Sequence, residues 1–400
     1  MTVSVPEDVS AVLERLRSRG YGANPVGGCV RDSLLGQTPE DWDICTSARP
    51  EETLACFADC RTMPTGLKHG TVTVLWAGRS LEITTYRRDG TYSDHRRPDE
   101  VDFVSDLTQD LARRDFTVNA MALGPEGEVI DPFGGREDLE QGLLRCVGEP
   151  ERRFREDALR ILRLLRFAAR LGFRPEAETL SAALDCRDLL PALAGERVLK
   201  EVCLFLEGRY AGACFPWAKP LLEPVLPELA ESEGEAEGGY LDRLPPDPAL
   251  RLGLLLRSRS GEKAAALRRL KGPKELETHV RTLAGAAFAP PPADPAALGL
   301  MLGRMGEGEF REALLLWRAL EAAPGGHLDE TERELEKRLG AGFCFSVREL
   351  AVTGGALEDL GLSGPEIGKT QKALLERVQT GELPNEKTAL LAAAKKTPGA

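Results

Sequence analysis

Nowhere in these 400 residues is there an uncharged apolar run of the roughly 18–20 residues that a membrane-spanning helix needs, so no membrane partner is expected. The opening stretch, MTVSVPEDVSAVLERLRSRG, takes up acidic and basic side chains early and lacks an apolar signal core. Export is therefore not expected, and a cytoplasmic location is. A basic excess is also missing. Against 52 Lys+Arg stand 64 Asp+Glu, for a formal net charge of −12. Nucleic-acid binders present basic surface, so any such surface here must be local. The nine cysteines contain no CxxC pair, and most sit in apolar runs such as VCLFL around Cys203. They read as small buried hydrophobes of a reducing compartment. Cys56 and Cys60 stand at i, i+4, but no second pair completes a zinc site. His69, His95, His279 and His327 are scattered and no His-Asp dipeptide occurs, which leaves no HD-type phosphohydrolase. No repeat of fixed period is visible.

What is present is a folded chain: 42% hydrophobic and 29% charged residues, enough for two to four domains at roughly 100–200 residues each. Val9, Val12, Leu13 and Leu16 mark an amphipathic helix within residues 1–20. A glycine turn at Gly27-Gly28 precedes DWDICT, which reads as a strand carrying Asp41 and Asp43. Residues 50–58 read as a helix. VTVLW (72–76) and LEITTY (81–86) flank a short Ala-Gly turn and predict a hairpin. FTVNAMAL (116–123) and EVIDPF (128–133) repeat that pattern. Beyond Glu137, Leu/Ala/Arg/Glu segments of helical periodicity run to the end. ESEGEAEGG (231–239) and APPPADP (289–295) read as loops, the second as the better domain boundary.

Two constellations carry chemistry. Side chains two apart on a strand share a face, so Asp41 and Asp43 can meet one cation, and hard oxygen pairs suit Mg²⁺. Glu82 points away from Leu81 and Ile83. If its strand lies beside DWDI, a third carboxylate joins the pair, and such a set needs cations to offset its repulsion, as in two-metal phosphoryl transfer. Without that neighbour Glu82 is an exposed edge residue. Gly27-Gly28 ahead of Arg31 can cradle an anion, or make a tight turn with Arg31 and Asp32 in a surface pair. Arg113 and Arg114 stand before the strand read at FTVNA, where they can hold a triphosphate or be a solvated strand entrance.

The second constellation lies between Arg145 and Arg174, where nine arginines stand against four acids. Glu156 to Arg166 reads as a helix. At about 100° per residue, Asp157, Arg160, Arg163 and Arg166 form one polar half-cylinder, opposite Ile161, Leu162, Leu164, Leu165 and Ala168. Any amphipathic helix has a solvated face, but lysine and glutamate are nearly absent from this one, and arginine suits bidentate recognition. A carboxylate accepts from an exocyclic amino group while a guanidinium donates to a ring nitrogen. Asp157 with Arg160 would thus accept C and A and reject U and G.

The run GGCVRD, DWDI, GLKHGTVTV, LEITTYR, RRDFTVNA, EDALRILRLLRFAARLGF resembles that of the class II tRNA nucleotidyltransferases, the bacterial CCA-adding type, which share a head with bacterial poly(A) polymerases. GERVLKEV (195–202) and ALEDLGLSGPEIGKTQKALLERV (356–378) are similar to the family's later motifs. The resemblance implies an α+β fold: a small nucleotidyltransferase head with a mixed β-sheet, then an all-helical neck, body and tail in a seahorse-like series. The expected boundaries are 1–136 for the head, 137–210 for the neck with the nucleotide-selecting helix, 211–290 for the body and 291–400 for a tRNA-binding tail. The resemblance implies Asp41 and Asp43 as Mg²⁺ ligands and catalytic residues, with Glu82 as a third catalytic carboxylate. It implies Gly28, Arg31 and Arg114 as nucleotide contacts, Asp157 and Arg160 as the amino-acid template, and Arg163 and Arg166 on the nucleotide side. The activity implied is template-independent addition of C, C and A from CTP and ATP to the 3′ end of tRNA, with no DNA partner; the alternatives are an A-adding-only enzyme or a poly(A) polymerase. The segment RRDGTYSDHRRPDEVDF (87–103) looks full length, whereas CC-only enzymes have it shortened, so A addition is expected. GLSGPEIG (361–368) reads either as a phosphate grip for the tRNA or as ordinary helix capping.

Overall fold

The computed structural model describes residues 3–89, 101–230, 234–257, 265–321 and 326–395. The chain divides into two compact units, Met1–Pro227 and Glu228–Ala400.

The first unit opens with helix α1 (Glu7–Arg17). Glu7 and Asp8 stand in its first turn and Arg15 and Arg17 in its last, the charge order the helix dipole favours, and Val9, Val12, Leu13 and Leu16 are buried. Strand β1 (Ala23–Pro25) leads through Gly27 into helix α2 (Gly28–Leu34). Then come β2 (Ile44–Thr46), α3 (Pro50–Cys56), β3 (Thr62–Gly66), β4 (Thr71–Trp76) and β5 (Arg79–Thr85). They form a five-stranded mixed sheet in the order β1-β2-β5-β4-β3. β4 and β5 are the expected hairpin, turning at Ala77 and Gly78, both at positive φ, the form that matches strand twist. β2 runs parallel to β5, with Ile44 opposite Ile83.

A ribbon follows, β6 (Arg87–Asp89) against β7 (Val101–Phe103), and then α4 (Leu107–Ala112). The expectation of a full-length 87–103 segment falls mainly on residues outside those described. β8 (Ala122–Leu123) pairs with β9 (Val129–Ile130). Helices α5 (Gly135–Gln141), α6 (Pro150–Glu156), α7 (Leu159–Leu171), α8 (Ala177–Asp185), α9 (Gly195–Leu206) and α10 (Ala211–Leu222) complete the unit, with one short ladder between β10 (Leu143–Leu144) and β11 (Arg174–Pro175).

The second unit's regular elements, among its described residues, are all helices: α11 (Gly234–Arg243), α12 (Pro248–Leu255), α13 (Ala265–Arg269), α14 (Lys274–Phe288), α15 (Pro295–Leu320), α16 (His327–Gly340), α17 (Gly354–Glu358), α18 (Pro365–Thr380) and α19 (Lys387–Ala394). One core gathers Leu302, Phe310, Trp317 and Leu335, another Leu357, Leu374 and Leu390. α15 breaks at Gly306 (φ 80°, ψ 168°), a conformation open essentially to glycine alone. Among the described residues no helix is long and apolar enough to cross a membrane. Seven of the nine cysteines are buried.

The structure corrects four readings. Strand β2 starts at Ile44, so Asp41, Trp42 and Asp43 lead into the strand and are not part of it. FTVN is a 3-10 turn over Thr117–Asn119, because the Asp115 carboxylate takes hydrogen bonds from the Phe116 N–H and the Asn119 amide and curls the chain locally. Glu156–Arg166 is not one helix. It is broken at Asp157 (φ −141°, ψ 100°), whose carboxylate accepts the Leu159 N–H and opens α7. Finally, residues 234–243 are a helix and not a loop. Glu235 and Glu237 favour its N-terminal turn, and buried Glu237 pairs with Arg257.

Candidate functional site

A cleft of about 660 Å³ in the first unit joins the two constellations apart from Glu82, which is not among its lining residues: Asp41 and Asp43, the Gly27–Gly28 turn, Arg31, Arg114, and from the helical side Asp157, Arg160, Arg163 and Arg166. Nine arginines and six acids line it. This is the local basic surface that a chain of net charge −12 leaves room for.

On one wall Asp41 and Asp43 are exposed while Trp42 between them is buried, so both carboxylates leave the same side of the chain. The β2–β5 ladder opens with Ile44 opposite Ile83, so Asp43 and Glu82 each stand one residue ahead of that rung, and Glu82 is exposed between buried Leu81 and Ile83 with its charge felt at Asp43. Protein crowding pushes the Asp43 carboxyl above the ordinary carboxylate range. Arg114 opposes that shift, and the charges of Glu82 and Asp41 add to it. Mutually repelling hard oxygens are what a divalent cation relieves. Among the described residues no three His, Cys, Asp or Glu side chains make a protein-only metal cage. A cation on Asp41 and Asp43 would complete its shell from substrate or water, as Mg²⁺-type sites do.

Around the glycine turn, Gly27 lies at φ 76°, and its N–H donates to the Met121 carbonyl, so that donor is not turned to the cleft. A Cβ at Gly27 would stand 2.7 Å from Arg114 Nη1; the glycine lets that guanidinium lie across the turn. The Arg114 Nε is buried without an acceptor, and its Nη2 reaches Asp110 at 3.4 Å. Asp110, fully buried, also holds Arg113 at 2.9 Å. Arg31 is not in a surface pair. It is 3% exposed, donates to Asp32 Oδ1 at 2.8 Å and to Asn119 Oδ1 at 2.5 Å, and Gly28 begins its helix.

On the facing wall, Asp157 fills the break between α6 and α7, and Arg197 of α9 reaches its Oδ2 at 3.4 Å. Burial raises its pKa, against the pull of Arg197. Arg160 donates to the carbonyls of Arg153 and Arg113 and to Glu156, at 2.9–3.1 Å. Arg163 grips Asp115 Oδ2 through Nη2 at 2.6 Å. Burial alone would raise the Asp115 pKa, but Arg163 and the hydrogen bonds from Asn119 and Phe116 outweigh it and hold the pKa at about 2. Arg166 pairs with Glu201 at 3.2 Å.

Sequence reading missed Asp110, Asp115, Asn119, Phe167 and Arg197. Two signals were present: Arg197 falls in the singled-out GERVLKEV, and Asp115 and Asn119 stand four apart in RRDFTVNA. In GLSGPEIG, Pro365 opens α18, the N-cap Gly364 brings no side chain to the helix end, and the Glu366 carboxylate accepts the Ser363 N–H.

The family described as the Poly A polymerase head domain matches residues 24–145. The CCA-adding enzyme of Geobacillus thermodenitrificans is 38% identical over 393 residues, covering 95% of this chain and 94% of that protein. The crystal structure of Bacillus stearothermophilus CCA-adding enzyme in complex with CTP aligns with a TM-score of 0.82 at 33% identity, covering 97% of this chain and 96% of that one. The Thermotoga maritima CCA-adding enzyme complexed with tRNA has the same fold, with a TM-score of 0.68 at 20% identity over 98% of this chain and 95% of that one. A nucleotidyltransferase family of this kind implies a divalent metal.

Proposed function

The chain belongs to the CCA-adding enzymes, and on that footing we propose how its cleft performs template-independent addition of C, C and A to the 3′ end of tRNA. CTP and ATP are the substrates, and pyrophosphate leaves as the ribose 3′-OH attacks the α-phosphorus in line. The observation that carries the reading is one cleft holding both the aspartate pair and the arginine helix.

Asp41 and Asp43 would hold Mg²⁺. When bound, that ion supplies Lewis-acid stabilisation of the transferring phosphoryl oxygens and a lower pKa for the attacking hydroxyl. Glu82, whose charge is felt at Asp43, supports that pair or accepts the hydroxyl proton. Gly28, Arg31 and Arg114 contact the nucleotide, and Arg114 brings an Nε–H that has no acceptor within the protein. Asp157 accepts the exocyclic amino group of C or A, and Arg160 donates to the adjacent ring acceptor. Two carbonyls and Glu156 fix the Arg160 guanidinium, so its aim is set before a base arrives. Arg163 and Arg166 line the nucleotide side.

The head spans 1–136, the neck 137–210, the body 211–290 and the tail 291–400. The tail holds the tRNA body by shape and backbone. The protein works in the cytoplasm, without DNA or membrane partners.

Purified protein is offered tRNA ending at the discriminator base, at CC and at CCA, with each NTP singly and together. The expected result is C, C, then A, and arrest. Long A tracts with CTP ignored would make it a poly(A) polymerase; A added only to CC ends would make it A-specific.

A further inference from the structure

Phe167 breaks the pattern of its helix. On α7 it falls at about −20° from Arg160, inside the arginine half-cylinder and away from the apolar side. It is 4% exposed and lines the cleft. Three guanidinium carbons stand over its ring: Arg166 at 4.6 Å from the centroid, Arg31 at 5.3 Å and Arg163 at 5.4 Å. Phe116 packs against it edge to face, with centroids 5.9 Å apart, and fixes the plane of the ring.

These arginines arrive from two helices. Arg31 comes from α2, beside the glycine turn, and the other two from α7. Each has a polar partner elsewhere: Asp32 and Asn119 for Arg31, Asp115 for Arg163, Glu201 for Arg166. Three like charges this close repel, and their acids pull them in different directions. A ring whose faces carry negative quadrupole attracts all three at once, where an aliphatic side chain of similar volume would only fill space.

We propose that Phe167 is a positioning residue for the incoming nucleotide: its ring fixes the mutual spacing of Arg31, Arg163 and Arg166, so a polyanionic substrate meets them pre-arranged. The proposal rests on the reading above that these arginines face the nucleotide. It adds an aromatic hub that joins the glycine-turn wall to the selecting helix.

The test separates ring electronics from ring volume. In the full chain, Phe167 is replaced site-specifically by mono-, tri- and pentafluorophenylalanine, which keep shape and apolarity while draining charge from the ring faces. Calorimetry reads the Kd for CTP, and tRNA extension reads KM and kcat. The Kd and KM for CTP rise stepwise with fluorination, reaching roughly tenfold for the pentafluoro ring, with kcat changed about twofold or less and the thermal midpoint unmoved. Phe167→Tyr stays near wild type, and Phe167→Leu matches the pentafluoro ring in Kd. A flat Kd across the fluorinated series overturns the proposal, whatever Phe167→Leu does. Wild-type protein that binds CTP but does not extend tRNA defeats the parent reading alone, since the Kd series still reports on the ring. Wild-type protein that fails to bind CTP defeats both.

Discussion

Arginine does two different jobs in the two units. Around the cleft, Arg31, Arg163 and Arg166 find Asn119, Asp115 and Glu201, which lie 35 to 88 residues away along the chain, and those partner side chains are at most 8% exposed. On α15 and α16, Arg311 meets Glu307 and Glu336, and Arg318 meets Asp329 and Glu332, with every one of these side chains at least 42% exposed. The second arrangement is solvated decoration of helices whose cores are aliphatic. The first ties distant segments into one rigid charged wall. The difference lies first in burial: the outer carboxylates stand on the surface, whereas Asp115 and Glu201 of the cleft are buried and also remote in sequence.

That contrast can be broken or sharpened by substitution. The largest effect belongs to the cleft: Asp41→Ala lowers the rate of C and A addition on the order of a thousandfold, measured by tRNA extension, while a gel-shift assay finds tRNA binding retained. Catalysis surviving at near wild-type rate would remove Asp41 from the metal-holding pair. Next is Asp115→Asn, which costs about 2 kcal/mol of stability at pH 7 in urea unfolding, since the native pKa of about 2 sits below the ordinary 3.8. A depressed carboxylate stabilises the fold above its unfolded-state pKa, and that contribution fades as pH falls toward 2. Between pH 5 and pH 3 the wild type therefore loses about 1 kcal/mol more than the variant. Arg160→Leu comes third: discrimination against UTP and GTP drops by about tenfold or more in competition assays, and unchanged selectivity would remove Arg160 from base reading. Smallest is Arg311→Ala, expected to shift unfolding by less than about 1 kcal/mol, as exposed pairs do. A loss as large as that of Asp115→Asn would erase the distinction between the units.

Much of this is legible in the amino-acid sequence. The Leu81–Ile83 alternation placed Glu82 outward, and the Ala77-Gly78 turn gave the hairpin. The two constellations in one family-like order foretold one cleft. What stayed hidden was set by long-range partners. Nothing local in EDALRIL announces that Asp157 leaves the helix, because part of what holds it there is Arg197, forty residues on. FTVN has strand-forming residues, yet the Asp115 carboxylate overrides their propensity. The acidic stretch 231–239 reads as a loop because the cation that stabilises its helix, Arg257, lies twenty residues beyond Glu237.

The parallel pairing of β2 with β5 has a consequence for how this chain can change over time. A rung that matches Ile44 to Ile83 binds an aspartate to a glutamate almost forty positions later, across a crossover containing α3 and two strands. Lengthening that crossover is harmless if the rung survives. Deleting one residue from β5 is not, because alternation would swing Ile83 into the water and drive Glu82 into the oil. Evolution is thus at liberty to edit the detour, but it must count in twos along the final strand.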